Sequence, residues 1–213
     1  MRKLRWKIAQ SAEIRWWQRY LKRKPVSDYL QWKRAYWKTF LQQIGVSPKS
    51  DDEVLDAGCG PAGIFTILDV QKVDAIDPLM DQYDQKLDHF QKEKYPNVSF
   101  FSESLETFEP AKQYDKVFCL NAINHVEDLK TCFGKLIQFT KPKGELIVSI
   151  DAHNFQLFKH VFRLLPGDIL HPHQYDLNEY KRMLTDRNIQ ITNEVLYKKQ
   201  FLFNYYVLVC FKN

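Results

Sequence analysis

The sequence predicts an α/β fold: a doubly wound, mostly parallel seven-stranded sheet with an antiparallel C-terminal strand, preceded by an N-terminal helical extension. Three observations predict it. From residue 53 onward, short runs rich in Val, Ile and Phe alternate with longer amphipathic stretches, the rhythm of β-α units joined by short turns. The tail changes texture: residues 189–197 and 200–211 alternate apolar and polar around Lys198-Lys199, as an antiparallel pair does. Residues 1–45 carry helical stripes and no strand pattern.

In order, Ile8, Ala12, Trp16 and Tyr20 recur at four-residue spacing, predicting a helix over 8–22 that Pro25 interrupts. Ser27 is the expected N-cap of a second helix, whose face carries Tyr29, Trp32, Tyr36, Trp37, Phe40, Leu41 and Ile44, and Gly45 is its expected stop. Strands are expected at 53–57, 72–76, 97–101, 115–120 and 145–150, with helices at 62–69, 79–93 and 127–140. Lys141-Pro142-Lys143-Gly144 reads as the turn into the fifth strand. The rhythm then breaks. Residues 154–165 read as an inserted apolar helix stopped by Pro166-Gly167, followed by a loop bearing His171-Pro172-His173. Asp176 with Glu179 forms a capping-box pattern that opens a helix to about residue 187. Two regions result: a helical extension over 1–46, and a main domain over 47–213 with a substrate-side insertion at 152–175.

Composition narrows the class. The chain has 213 residues, 45% hydrophobic and 27% charged, which suits one sizeable core. No apolar run is long enough to cross a bilayer and no apolar segment follows the basic N-terminus, so a cytoplasmic protein is expected. Cys59, Cys119, Cys132 and Cys210 are scattered without a C-x-x-C pair, which predicts free thiols and no zinc site. The net charge of +5 divides unevenly. Residues 1–40 hold twelve Lys or Arg against Glu13 and Asp28, a balance of +10, which leaves −5 for the remainder. All five tryptophans also fall in that basic segment.

The chemistry concentrates at Val54-Leu55-Asp56-Ala57-Gly58-Cys59-Gly60-Pro61-Ala62-Gly63, an apolar strand running into a glycine-rich turn. Glycines let backbone N–H groups approach a ligand closely. The pattern formally matches the G-x-G-x-x-G dinucleotide fingerprint, with Asp77 a further 19 residues beyond Gly58. Asp56, two residues before the first glycine, would face a diphosphate and repel it. A carboxylate there suits a cationic, hydroxyl-bearing ligand, which favours S-adenosylmethionine over a dinucleotide.

The same stretch resembles the first motif of class I S-adenosylmethionine-dependent methyltransferases, and four later segments follow in that family's order. Ala75-Ile76-Asp77-Pro78 resembles the end of its second strand, where the acid takes the ribose hydroxyls. Phe101-Ser102-Glu103-Ser104-Leu105 resembles the segment whose acid meets the adenine amine. Tyr114 to Asn121, continuing through His125, resembles strand four and the loop facing the methionine part. Lys141 to Val148 matches the last turn and fifth strand. The resemblance covers roughly residues 50 to 212. It implies a methyl transfer to a small molecule and a donor site formed by Asp56, Gly58, Cys59, Gly60, Asp77, Pro78, Glu103, Ser104, Leu105 and Asn121. Two departures stand out: Ala62 replaces the family's third glycine, and Glu103 stands where Asp is commoner.

Each acid also has a plainer reading. Asp56 could cap the following helix, Asp77 could start a turn, and Glu103 could be a solvated first-turn acid. His125, at the carboxyl edge of the sheet, and His171 and His173 are the candidate proton acceptors for a substrate hydroxyl, with Asp151 behind them. His89, His153 and His160 read as surface or packing residues. After strand four the chain reads Asn121-Ala122-Ile123-Asn124 rather than D/N-P-P-Y/F, which argues against methylation of nucleobase amines. For residues 1–45 the first reading is a lid over the cleft. RNA binding and peripheral membrane contact are the alternatives that their charge keeps open. A non-catalytic donor-binding module remains the rival to an enzyme.

Overall fold

The computed structural model describes residues 2–153, 175–201 and 203–213, with side chains from Gln10 onward. Two helices lead: α1 (Arg2–Leu21) and α2 (Val26–Ile44). The expected Ser27 cap is corrected. Pro25 occupies the N-cap position without a side-chain bond, its fixed φ of −56° setting the entry, and Ser27 lies inside the helix. Gly45 ends α2 in the left-handed conformation (φ 71°), and the Val46 N–H reaches back to the Leu41 carbonyl at 3.1 Å.

Among the described residues the strands are β1 (Glu53–Ala57), β2 (Lys72–Ile76), β3 (Val98–Phe101), β4 (Tyr114–Cys119), β5 (Thr140–His153), β6 (Ile189–Lys198) and β7 (Phe203–Lys212). They form one sheet ordered β3-β2-β1-β4-β5-β7-β6. Pairings from β3 through β5 are parallel, and β7 inserts antiparallel between β5 and β6. The chain runs outward from β1 through β2 to β3, then returns to β4 on the other flank of β1. That reversal places a crevice at the carboxyl ends of β1 and β4, where open α/β sheets bind ligands.

Alternate residues of each buried strand face opposite layers. Val54, Val73, Phe118, Ile147 and Val207 join the core under α1, α2 and α3 (Met80–Lys86). Leu55, Val117, Leu146, Val148 and Leu208 join the core under α4 (Leu129–Phe139) and α5 (Leu177–Thr185). The capping box expected at α5 is present: the Glu179 N–H donates to Asp176 Oδ1 at 3.0 Å, and the Asp176 N–H to Glu179 Oε2 at 2.9 Å.

Three expected elements differ. The helix over 62–69 is replaced by two short 3-10 turns, Gly60–Ala62 and Ile64–Ile67, because the extended ψ of Gly63 (−172°) breaks the helical path between them. The helix over 79–93 stops at Lys86; Leu87 is extended, and a separate 3-10 turn follows at Lys92–Lys94. The fifth strand begins earlier than expected. Thr140 already pairs with Tyr114, and pairing resumes at Glu145 with Lys116, so Lys141–Gly144 form a bulge within β5 with Lys143 at φ 64°. The apolar helix expected at 154–165, together with His160, His171 and His173, lies outside the described residues.

Candidate donor site at the carboxyl ends of β1, β2 and β4

The glycine turn leaves β1 with Gly58 at φ 71° and Gly60 at φ 58°, a region that disfavours side chains. The Gly58 and Cys59 N–H groups both donate to the Ile76 carbonyl, at 2.8 and 3.1 Å, which fastens the turn to the end of β2. A Cβ on Gly58 would overlap the Ala122 side chain, and one on Gly63 would lie 2.6 Å from the Cys59 carbonyl oxygen. The turn is therefore wedged between β2 and the loop after β4. The Cys59 thiol is buried, which raises its pKa well above the ordinary thiol value; the other three cysteines are also buried and free.

Two carboxylates flank the turn. Asp56 is 2% exposed, and its Oδ2 accepts the Phe65 N–H at 3.1 Å. Burial pushes its pKa up to about 7, opposed by the Phe65 and Ile64 N–H groups and by Lys33. Asp77 is 7% exposed; Oδ2 accepts the Gly60 N–H at 3.0 Å and Oδ1 the Leu79 N–H at 2.9 Å. Its pKa also rises to about 7, through burial first and the Glu13 carboxylate second. Pro78, half-buried, follows at the strand end.

The remaining sequence-derived residues line the neighbouring strand ends. Glu103 is exposed after β3. Ser104 Oγ lies 3.2 Å from Thr107 Oγ1, and Leu105 is buried in the core on the α4 side. Asn121 follows β4 at φ 56°, exposed, with its N–H donated to Ser149 Oγ at 2.7 Å. His125 is exposed on the 3-10 turn Ile123–His125, and its N–H donates to the Ala122 carbonyl at 2.9 Å. His89 is buried, its Nε2 2.8 Å from the Lys24 carbonyl oxygen, so of the two earlier readings packing applies.

Several residues at this edge escaped sequence reasoning. Asn124 is buried and clamps the loop after β4 to the end of β5. Its Nδ2 reaches the Asp151 carbonyl at 3.2 Å and Tyr180 Oη at 2.9 Å, and its Oδ1 accepts the Asp151 N–H at 3.2 Å. From α1, the Trp17 ring lies 3.9 Å from where a Gly60 Cβ would stand. Glu13 Oε1 accepts from Tyr83 Oη at 3.0 Å and from Trp17 Nε1 at 3.4 Å. From α2, the buried Trp37 donates its Nε1–H to the Ala62 carbonyl at 3.0 Å, and Arg34 bonds the Thr66 carbonyl and Asp69. The only forewarning was the aromatic, basic character of residues 1–40. Their contacts are non-local, so no spacing rule reveals them.

The arrangement fits an adenosyl donor. It offers left-handed glycines at the sheet's switch point and a buried carboxylate at the end of β2 for a polar ligand group. Among the described residues no cluster of His, Cys, Asp and Glu could hold a metal ion, and no helix is long and apolar enough to cross a membrane.

Comparison with known proteins bears on the same region. A family model described as a methyltransferase domain matches residues 48–188. A ubiquinone biosynthesis O-methyltransferase of Rickettsia bellii is 40% identical over 102 residues, covering 47% of this chain and 42% of that protein. The Rickettsia canadensis protein of the same name is 30% identical over 151 residues, 65% of this chain and 63% of that one. These matches thus span less than two thirds of the curated relatives. Among solved structures, a putative S-adenosylmethionine-dependent methyltransferase from Listeria monocytogenes superposes with a TM-score of 0.65 at 16% identity, covering 84% of this chain and 99% of that one. A magnesium protoporphyrin IX methyltransferase from Synechocystis, with bound S-adenosylhomocysteine, gives 0.60 at 21% identity, covering 87% and 83%. By the domain match across most of its length and by its strand order, this chain belongs to the class I S-adenosylmethionine-dependent methyltransferase family.

Proposed function

We propose that the protein transfers a methyl group from S-adenosylmethionine to a hydroxyl of a small, ring-bearing acceptor. One observation carries the reading: the turn Gly58–Gly60, left-handed at both glycines, is locked to the buried Asp77 at the sheet's switch point. The hydroxyl preference is supported by the relatives named ubiquinone biosynthesis O-methyltransferase. It is supported also by the loop Asn121-Ala122-Ile123-Asn124, which lacks the paired prolines and aromatic residue that grip nucleobase amines.

When bound, the donor supplies a sulfonium-activated methyl group for in-line displacement. Asp77 and Glu103 hold the adenosine end, and Gly58, Cys59 and Gly60 present backbone to the donor. Pro78, Ser104 and Leu105 shape the adenosine wall, while Asp56 holds the turn in place through the Phe65 N–H. Asn121 faces the methionine part of the donor, and His125 stands at the acceptor side, taking the hydroxyl proton as the methyl transfers. His171 and His173 are the further proposed proton acceptors. Helices α1 and α2 act as a lid that excludes water from the reacting atoms.

Isothermal titration with S-adenosylhomocysteine, followed by radiolabelled methyl transfer to catechol-type acceptors, tests this reading. Uptake of one equivalent and labelled methyl ether support it. Failure of the folded protein to bind S-adenosylhomocysteine overturns it.

A further inference from the structure

Tyr205 of β7 ends in a buried hydroxyl without a partner. The residue is 8% exposed, and among the described residues nothing forms a hydrogen bond with its Oη. A buried tyrosine hydroxyl normally finds a partner, because leaving it unbonded costs stability that a phenylalanine would not cost. Polar neighbours are at hand. Asp151, half-buried near the end of β5, is its register partner, so the two side chains share one face of the sheet. Ser149 precedes Asp151 on that face, but its Oγ accepts the Asn121 N–H at 2.7 Å and stands outside hydrogen-bonding geometry toward Tyr205.

Its surroundings suit a flat ring. Tyr205 belongs to the core layer beneath α2. The Tyr197 ring centroid lies 5.7 Å from that of Tyr205 at 68°, and Tyr36 of α2 meets Tyr197 at 6.4 Å and 84°. Three tyrosines thus line the layer between α2 and the carboxyl end of β5. That end lies on the same edge of the sheet as the glycine turn, on the flank of β4 away from Asp77. Asn121, through its bond to Ser149, joins this flank to the loop after β4. Burial raises the Tyr205 pKa, and the Asp151 carboxylate adds to the rise, so the phenol keeps its proton at neutral pH. Such a group donates a hydrogen bond and takes no proton from a substrate. Donated to the attacking oxygen, the bond would draw on the lone pair that must reach the methyl group. Donated to a different oxygen, it orients the ring without that penalty.

We infer that the Tyr205 hydroxyl binds a second, non-reacting oxygen on the acceptor ring and so turns the reacting hydroxyl toward the methyl group. The inference rests on the methyl-transfer reading above and narrows its acceptor to rings that carry at least two oxygens. It gives β7, which holds none of the donor motifs, a part in recognising the acceptor. It also explains why a buried hydroxyl stands unbonded in the ligand-free protein: its partner arrives with the substrate.

The experiment compares the wild type with Tyr205→Phe on two acceptors, catechol and ortho-cresol, in which a methyl group of similar size replaces the second oxygen. The wild type is expected to prefer catechol in kcat/KM by about ten- to a hundredfold, the range for one buried hydrogen bond whose loss leaves a group unpaired. Tyr205→Phe is expected to lose that preference while binding S-adenosylhomocysteine as the wild type does. Taking the ratio of the two acceptors within each protein cancels their intrinsic reactivities. The ligand-free Tyr205→Phe protein is expected to melt at or above the wild-type Tm, since the hydroxyl it lacks had no partner to lose.

Equal turnover of catechol and ortho-cresol by the wild type overturns the inference without recourse to any variant. A Tyr205→Phe protein that keeps the full preference, or that loses donor affinity, overturns it too. So does one that melts distinctly below the wild type, which shows the hydroxyl already bonded in the free protein. A wild type that binds S-adenosylhomocysteine but methylates neither acceptor overturns the hydroxyl-acceptor reading and the Tyr205 role with it. If the wild type binds no S-adenosylhomocysteine, the donor reading itself falls, an outcome distinct from failure of the Tyr205 assignment alone.

Discussion

Asp77 ties the end of β2 to the turn that leaves β1: its Oδ2 accepts the Gly60 N–H at 3.0 Å while Oδ1 holds the Leu79 N–H at 2.9 Å. The carboxylate is thereby oriented by backbone donors before any ligand arrives. Replacing it with alanine removes the clamp together with the proposed ligand contact. Asp77→Ala is expected to weaken S-adenosylhomocysteine binding by roughly 1–3 kcal/mol, read by titration calorimetry. Asp77→Asn, which keeps an acceptor oxygen, is expected to lose less.

Asp56 and Asp77 make the ligand-free protein sensitive to pH. Both are raised from an ordinary 3.8 to about 7 by burial. Between those values the folded chain holds protons that the unfolded chain releases. Their contribution is therefore complete below about 4, declines as pH rises, and is gone above about 7. Tm of the ligand-free protein is expected to gain from these groups as pH falls from 8 to 6, and Asp56→Asn is expected to flatten that slope. An unchanged slope in Asp56→Asn contradicts the assignment.

Glu13 is the only α1 carboxylate beside Asp77, and it contributes to raising the Asp77 pKa. Glu13→Gln keeps an acceptor for Tyr83 Oη and removes the charge. The Asp77 titration midpoint, followed by carbon NMR of its carboxyl, is expected to move downward from about 7. The global stability at neutral pH is expected to change little.

Trp37 links α2 to the glycine turn through one buried bond to Ala62. Trp37→Phe leaves the ring volume largely filled and the Ala62 carbonyl without its donor. A loss of about 1–3 kcal/mol in urea unfolding is expected, with an unchanged slope. Donor affinity is expected to fall as well, because the same turn forms the proposed donor site.

Gly63 cannot take a side chain without displacing its neighbours, since a Cβ would meet Asp56 and the Cys59 carbonyl. Gly63→Ala is expected to destabilise by about 1–3 kcal/mol. Circular dichroism melts measure the effect directly.

What could be read in advance follows a physical dividing line. Signals carried by local chemistry were legible: Gly45 at a left-handed helix end, the Asp176–Glu179 capping box, and the buried strands around Val54 and Val117. Features decided by tertiary contact were not. The stretch 62–69 has helical composition, yet it is held in two short turns where Asp56 takes the Phe65 N–H and Arg34 takes the Thr66 carbonyl. Pro25, rather than Ser27, sets the entry to α2 because a fixed φ outweighs a missing cap bond there. At the site, the strand-end acids could be named from their motif positions. Glu13 and Asn124 could not, since each reaches its partner from a distant part of the chain.

The clustering of every tryptophan within the first 37 positions has a practical corollary. Trp17 stands over Gly60 and Trp37 grips Ala62, so indole emission originates in the layer that borders the methyl-donor crevice. The molecule carries its own optical gauge of that crevice. Quenching or a spectral shift during titration reports ligand arrival with no label attached.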